Sequence, residues 1–144
     1  MKIKDLYLKN NPELVTILSD APAMNAVTLL NQHNIGALPV RDPSGELVGI
    51  ISERDIIRSL SESNLGLDNM TVENLMTPDV ATCGPDDDVT RVLEIMDERQ
   101  IRHIPVLVAG RLSNIISSRD VITAALGESK SRLTDMVLAY EMVR

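Results

Sequence analysis

Apolar residues recur along this chain in two arrangements, as short continuous runs and as longer stretches in which they return every three or four positions. Runs bounded by Gly, Pro or Asp are typical of strands, and spaced stretches are typical of helices that bury one face. The runs predict strands at residues 14–18, 37–41, 47–51, 80–83, 104–108 and 112–116. The spaced stretches predict a short helix or turn at 3–9 and helices at about 19–33, 53–60, 86–99, 119–126 and 128–144.

Turn-forming residues mark the ends of these elements. Asn10-Asn11-Pro12 ends the first, and Ser19-Asp20 is an N-cap region for the next helix. Asn34-Ile35-Gly36 closes that helix, and Asp42-Pro43-Ser44-Gly45 predicts a hairpin turn. The run Asp86-Asp87-Asp88 suits the positive end of a helix dipole.

Gly127 is expected to separate a last helix from the one before it. The apolar stripe of that last helix predicts docking on the body or on a second subunit; its residues are Leu133, Met136, Val137 and Tyr140. In the helix at 19–33, the apolar face is Met24, Val27 and Leu30. Cys83 and the methionines are expected in the core, and His33 in solvent.

The chain contains an internal repeat. Ile35–Val40 (IGALPV) returns 66 residues later as IRHIPV, and the Ser-x-Arg-Asp junction that begins at Ser52 returns 65 residues later at Ser117. Generic patterning explains this poorly, because the agreement extends through most of both copies. The repeat predicts an α/β (α+β) fold of two β-α-β-β-α units with pseudo-twofold symmetry. We expect repeat 1 at residues 1–61, a linker at 62–71, repeat 2 at 72–126 and a C-terminal helix at 127–144.

Composition narrows the classes of function. The net charge of −7 and the absence of Trp and Phe disfavour nucleic-acid binding, which relies on cations and stacking rings. No apolar run approaches the length of a membrane span and no signal-peptide pattern opens the chain, so the expected location is cytoplasmic. A single cysteine excludes an internal disulfide and indicates no metal cluster.

Enzyme signatures are missing from the sequence. It has no phosphate-binding Gly-x-x-x-x-Gly-Lys-Ser/Thr loop, no Gly-x-Gly-x-x-Gly and no paired zinc ligands. Ser117, His103 and Asp120 could be combined as a triad, but no Gly-x-Ser-x-Gly elbow supports it and Ser52 has no matching histidine. The sequence therefore predicts a protein without catalytic or metal-binding residues.

The repeated motifs resemble the cystathionine-β-synthase (CBS) domain, present as the tandem pair called a Bateman module. The resemblance is carried by residues 36–40, 49–55, 76–78, 102–106 and 115–120, and it covers nearly the whole chain except the final helix. It implies a compact pair with two clefts between the repeats. In this family such clefts commonly bind AMP, ADP, ATP, NAD or S-adenosylmethionine, and the pairs usually form homodimers that regulate a fused or separate effector protein.

The resemblance also implies roles for individual residues. Asp55 and Asp120 match the family's ribose-binding position, and a carboxylate can accept both hydroxyls of a ribose; the alternative is that each only stabilises a helix start. Arginines near the motifs suit phosphate. The implied ligand-binding set is Thr16 and Thr82 for adenine, Ser52 and Ser117 as caps and ligand contacts, Arg54, Arg102, His103 and Arg119 for phosphate, Asp55 and Asp120 for ribose, and Ala37, Pro39 and Pro105 in the strands.

The two clefts should not be equivalent. Arg102-His103 stands where the first copy has Gly36-Ala37, so one cleft should favour phosphorylated ligands, most strongly where His103 is protonated. Asn114 replaces Gly49, which makes the second copy less regular. Three hypotheses remain: a sensor of adenine nucleotides that signals to a partner, a constitutive scaffold with empty clefts, and a sensor of another ligand such as S-adenosylmethionine, NAD or a metal ion.

Overall fold

The computed structural model describes residues 1–7, 13–63 and 66–143. Its strands are β1 (Ile17–Leu18), β2 (Ala37–Arg41), β3 (Leu47–Ser52), β4 (His103–Val108) and β5 (Arg111–Ser117). Its helices are α1 (Lys4–Tyr7), α2 (Ala23–His33), α3 (Glu53–Glu62), α4 (Val72–Leu75), α5 (Val89–Arg99) and α6 (Ser118–Val143). The predicted mixture of helices and strands is confirmed, and Asn10-Asn11-Pro12 lies outside the described residues.

Two antiparallel hairpins repeat the same geometry. Ala37 pairs with Ser52 across β2 and β3, and His103 pairs with Ser117 across β4 and β5. The first turn forms as predicted, because the Asp42 carboxylate accepts the backbone N–H groups of Ser44 and Glu46 at 2.9 and 3.0 Å. The hairpins place both Ser-x-x-Asp sequences at the start of a helix.

The first strand of each copy is shorter than the sequence predicts. In the first copy only Ile17 and Leu18 pair, in parallel with β2. In the second, the predicted strand at 80–83 is wrong: Cys83 alone bridges to β4, donating to the Pro105 carbonyl at 3.0 Å and accepting from Leu107 N–H at 2.8 Å. The ladder stops there because Pro85 lacks the N–H that would make the next bond.

Each lead-in segment packs on the core of the other copy. Ile3 is fully buried with Val92 and Ile104 in the second core, and Val72 is fully buried in the first core. Ile3 N–H donates to the Asp87 carbonyl at 3.0 Å, and Val72 N–H donates to the Ala21 carbonyl at 2.9 Å. Neither core is therefore completed by its own copy alone. The division into residues 1–61, 62–71, 72–126 and 127–144 remains a prediction.

The ends of α2 differ from the prediction. The N-cap is Pro22, because Ser19 N–H donates to the Arg41 carbonyl at 2.9 Å and so continues the strand pairing. The helix closes at Asn34, whose φ of 52° is left-handed, before Gly36 is reached. The inward face consists of small residues and Leu30, and Met24 is exposed. The prediction that the methionines are core is wrong at Met24, and also at Met136 and Met142, which are exposed on α6.

The separation at Gly127 is also wrong. α6 runs unbroken from Ser118 to Val143, because one glycine costs a helix only about 1 kcal/mol relative to alanine. The stripe at Leu133, Met136, Val137 and Tyr140 does not dock on the body, since each of these side chains is more than half exposed. Among the described helices, none is both long enough and apolar enough to cross a bilayer.

Candidate functional site

A serine and an aspartate begin α3 and α6 with the same reciprocal hydrogen bonds. At α3, Ser52 Oγ accepts from Asp55 N–H at 3.3 Å while Asp55 Oδ2 accepts from Ser52 N–H at 2.9 Å. At α6, the corresponding distances between Ser117 and Asp120 are 3.1 and 2.9 Å. This is the capping box that a Ser-x-x-Asp sequence favours. The helix-start role considered for both aspartates is therefore present in both copies.

The surroundings of the two aspartates differ. Asp55 is only 8% exposed, and its second oxygen, Oδ1, accepts from Thr77 Oγ1 at 3.3 Å and lies 3.7 Å from Arg58 Nη1. Asp120 is exposed. A carboxylate has about four acceptor positions, so Oδ1 of Asp55 retains capacity for a further donor.

Thr77 reaches Asp55 because its backbone is paired with β3. Ile50 N–H donates to the Thr77 carbonyl at 3.0 Å, and Thr77 N–H donates to the Ile50 carbonyl at 2.8 Å. Gly49 permits this close crossing: a Cβ there would lie 2.6 Å from Met76 Sδ and 3.0 Å from the Thr77 carbonyl oxygen. The segment after α4 thus becomes one wall of a cleft beside Asp55.

That cleft has a volume of about 930 Å³ and lies between the two copies. One wall is the end of β3 with the start of α3, another is the segment 77–81, and a third is the stretch 99–103 that leads into β4. Six residues of the predicted ligand-binding set line it: Ala37, Ser52, Arg54, Asp55, Arg102 and His103.

The other residues of the predicted set lie elsewhere. Pro39 and Pro105 are fully buried inside the hairpins. Thr82 lines a separate cleft of about 650 Å³ between the two hairpin turns. Thr16, Ser117, Arg119 and Asp120 line neither of these clefts. In the repeat, residue 8 corresponds to the wall residue Thr77, and it lies outside the described residues.

Arginines concentrate around the 930 Å³ cleft although the chain is acidic overall. Arg58 forms an ion pair with Asp55, and Arg99 forms one with Asp79, with 3.8 Å between Arg99 Nη1 and Asp79 Oδ2. Within the described part of the chain, neither Arg54 nor Arg102 has a carboxylate at ion-pair distance. Two guanidinium groups at the cleft are thus left to contact an anionic ligand.

His103 is half-buried where the copies meet, and a Cβ on Gly36 would lie 3.0 Å from its Cε1 atom. Burial lowers the pKa of His103 below its usual 6.5 and Arg102 adds to this, while Asp120 and Glu53 oppose it. The ring is therefore mostly neutral at pH 7. The cationic role expected for His103 is confined to acidic solution.

Sequence reasoning did not place several lining residues in the site: Arg58, Thr77, Arg99 and Gln100. The position of Arg58 beside Asp55 could have been predicted, because the two residues are three positions apart on a helix and therefore lie on the same face. Thr77 belongs to the Met-Thr-Pro motif, but its contact with Asp55 depends on tertiary pairing. Across the described residues, no group of three or more His, Cys, Asp or Glu is arranged to hold a metal ion.

A family model described as the CBS domain matches residues 3–62 and 72–127. The mitochondrial CBS domain-containing protein CBSX3 of Arabidopsis thaliana is 33% identical over 119 residues, which cover 80% of this chain and 58% of that protein. The chain spans about half the length of the first curated relatives it matches, 46% to 58%.

Solved structures agree with the family match. The CBS-domain containing protein ATU1752 from Agrobacterium tumefaciens is 33% identical with a TM-score of 0.83, and the match covers 87% of this chain and 99% of that one. The CBS domain pair of protein MJ0100, solved with 5′-methylthioadenosine and S-adenosyl-L-methionine, is 31% identical with a TM-score of 0.78, covering 89% and 98%.

Proposed function

The chain belongs to the CBS-domain family, and from that premise we propose that it is a regulatory module whose 930 Å³ cleft binds an adenosine-containing ligand. The candidate ligands are AMP, ADP, ATP and NAD. The module acts as a homodimer and passes its signal to an effector protein. The proposal assigns it no catalytic step and places it in the cytoplasm.

One observation carries the proposal: a carboxylate with acceptor capacity left and two guanidinium groups that pair with no carboxylate among the described residues line the same cleft. Asp55 Oδ1 can accept from the ribose hydroxyls, while Arg54 and Arg102 supply donors for phosphate oxygens. Apolar side chains such as Ile50 and Ile101 line the same cleft and suit the face of an adenine. The cleft volume is within the range of small-molecule sites.

A relative supports the class of ligand. The MJ0100 domain pair was solved with two adenosyl compounds, neither of which carries a phosphate. S-adenosylmethionine is therefore the second candidate. The scaffold alternative is supported by the capping boxes, because helix starts alone would explain why Ser and Asp occur in both copies.

Thermal unfolding against a panel of AMP, ADP, ATP, NAD, S-adenosylmethionine and 5′-methylthioadenosine, with GTP as the base control, tests the proposal. A ligand that binds only the native state stabilises it by about 2.7 kcal/mol at a hundredfold excess over its Kd. We expect a rise in Tm with adenine ligands and none with GTP. A flat panel from folded, nucleotide-free protein would favour the scaffold.

An arginine variant separates the phosphate contact from the rest of the site. Arg102→Ala should weaken AMP or ATP about tenfold, or about 1.4 kcal/mol, and leave 5′-methylthioadenosine unchanged. Arg91→Ala is the matched control, because Arg91 is exposed on α5 and does not line the cleft. Equal loss of phosphorylated and unphosphorylated ligands would contradict a phosphate role for Arg102.

A further inference from the structure

Helix α6 carries a regular row of residues beyond the part that packs on the body. Ile122, Leu126, Ser129, Leu133, Met136 and Tyr140, which we call the α6 seam, follow one another at intervals of four, three, four, three and four residues. This alternation is the heptad spacing that keeps one seam of a helix facing a partner helix. Every position of the seam is apolar except Ser129.

The seam is uncovered in the single chain. Its five large apolar side chains are between 51% and 70% exposed, whereas Val121, next to Ile122 and about a quarter turn around the helix, is fully buried in the second core. Every described side chain from Leu126 to Met142 is exposed. Monomeric proteins rarely leave so continuous an apolar surface in water.

We infer that the α6 seam pairs with the α6 seam of a second copy of this chain as a parallel, in-register coiled coil. The inference deepens the homodimer part of the proposed function and rests on it, but it does not require a ligand in the cleft. A seam with heptad spacing is complementary to itself, because a twofold axis between parallel helices sets each seam residue against its own copy.

The charges beside the seam favour the parallel arrangement. Lys130 and Arg132 flank the seam, and the acidic Glu128 and Asp135 lie further out. In the parallel pair, Arg132 would face Val137 of the partner subunit and Lys130 would face Ala125 of the partner subunit. An antiparallel pair that sets Ser129 against Leu133 of the partner subunit would bring each flanking cation against its own copy.

The area is sufficient for a reversible dimer. Burying a fully exposed Leu-sized side chain removes roughly 60–120 Å² from water, and the five apolar seam residues are already partly covered, so they would bury roughly 150–420 Å² per copy. The flanking stems of Lys130 and Arg132 add to this. A standard interface buries about 800 Å² per partner, and weaker ones bury less. The dimer should therefore dissociate at measurable concentrations.

Sedimentation velocity between about 1 and 200 μM tests the seam with two matched variants. Met136 lies in the seam and is 68% exposed, and Leu138 is an apolar residue on the opposite face of the same helix that is 53% exposed. Met136→Glu should raise the dimer Kd at least tenfold, and Leu138→Glu should leave it within threefold. Equal effects of the two, or a Met136→Glu protein that stays dimeric, would overturn the seam.

Cysteine substitutions test the orientation. Ser129→Cys places a thiol in the seam and Ser131→Cys places one on the outer face, while native Cys83 is buried. Mild oxidation with copper phenanthroline should cross-link Ser129→Cys dimers and leave Ser131→Cys uncross-linked. Cross-linking of neither variant, or of both equally, would overturn the parallel arrangement.

These outcomes are distinct from failure of ligand binding. A wild-type protein that is monomeric at 200 μM would overturn the homodimer and the seam. A wild-type tetramer that dissociates in Met136→Glu would overturn the two-stranded pairing. The response of Met136→Glu to the nucleotide panel is measured separately. A retained response with lost dimerisation would confirm the seam and keep the proposed ligand binding.

Discussion

Gly49 joins the fold of the first copy to the ligand cleft. Its lack of a side chain lets the backbone of Thr77 pair with β3, and the Thr77 hydroxyl then donates to Asp55 at 3.3 Å. A side chain at Gly49 would push on Met76 Sδ, which can move, and on the Thr77 carbonyl, which is held by its hydrogen bond with Ile50. The cleft wall therefore depends on the absence of a Cβ atom at position 49.

We predict that Gly49→Ala lowers the free energy of unfolding by about 1–3 kcal/mol through overpacking. It should also weaken any ligand that contacts Asp55, because Thr77 must shift. Urea unfolding measures the first effect and ligand-induced Tm shifts the second. Gly84→Ala is the control: its Cβ would meet no atom closer than 3.9 Å, so a change within about 0.5 kcal/mol is expected. Equal stability of the two variants would contradict the overpacking account.

Residues whose roles are local could be predicted from the sequence. Ser52 and Asp55 are three positions apart, and that spacing alone indicates a capping box. The position of Thr77 could not be predicted, because its contact with Asp55 joins residues 22 positions apart through strand pairing. The lowered pKa of His103 likewise comes from burial that only the packed copies produce.

At the scale of elements, two glycines with equal free space around them occupy different structures, one a turn and the other the interior of a helix. A Cβ at Gly127 or at Gly45 would meet no atom within 4 Å. Gly127 lies inside α6, whereas Gly45 has a φ of +92° in the β2–β3 turn. Sequence pattern alone predicted a break at both, since Gly is typical of turns. The hairpin turn was confirmed, but the break in α6 was not, because a long helix tolerates one glycine.

We predict that Gly127→Ala stabilises α6 by about 0.5–1 kcal/mol, since alanine loses less backbone entropy in a helix. Hydrogen exchange of the amides in 126–142 should slow accordingly. Gly45→Ala, the matched control, should instead destabilise the protein by about 1 kcal/mol, because alanine is strained at positive φ. Faster exchange in Gly127→Ala would indicate that α6 needs a flexible point there.

At the scale of the whole molecule, the crossed lead-in segments join the copies into one unit. Residues 3–6 resemble residues 72–75, so the repeat assigned each lead-in to its own copy. The structure sets Ile3 in the second core and Val72 in the first. A repeat shows which segments are equivalent but not which copy each one packs on. The sequence therefore could not predict that each lead-in segment packs on the core of the other copy. Both cores should unfold together.

His103 makes that unfolding sensitive to pH, because it is buried where the copies meet. Burial and Arg102 lower its pKa in the folded state, against the opposing effect of Asp120 and Glu53. As pH falls below 6.5, the unfolded chain binds the proton first, so the free energy of unfolding should fall until the lower folded pKa is passed. The stability due to the neutral ring is complete above pH 6.5 and lost in acid.

Urea unfolding between about pH 7.5 and 5.5 should therefore show a free energy of unfolding that falls with pH. His103→Gln should reduce this slope, and His33→Gln, the control at an exposed histidine, should retain it. An unchanged slope in His103→Gln would assign the acid sensitivity to other groups.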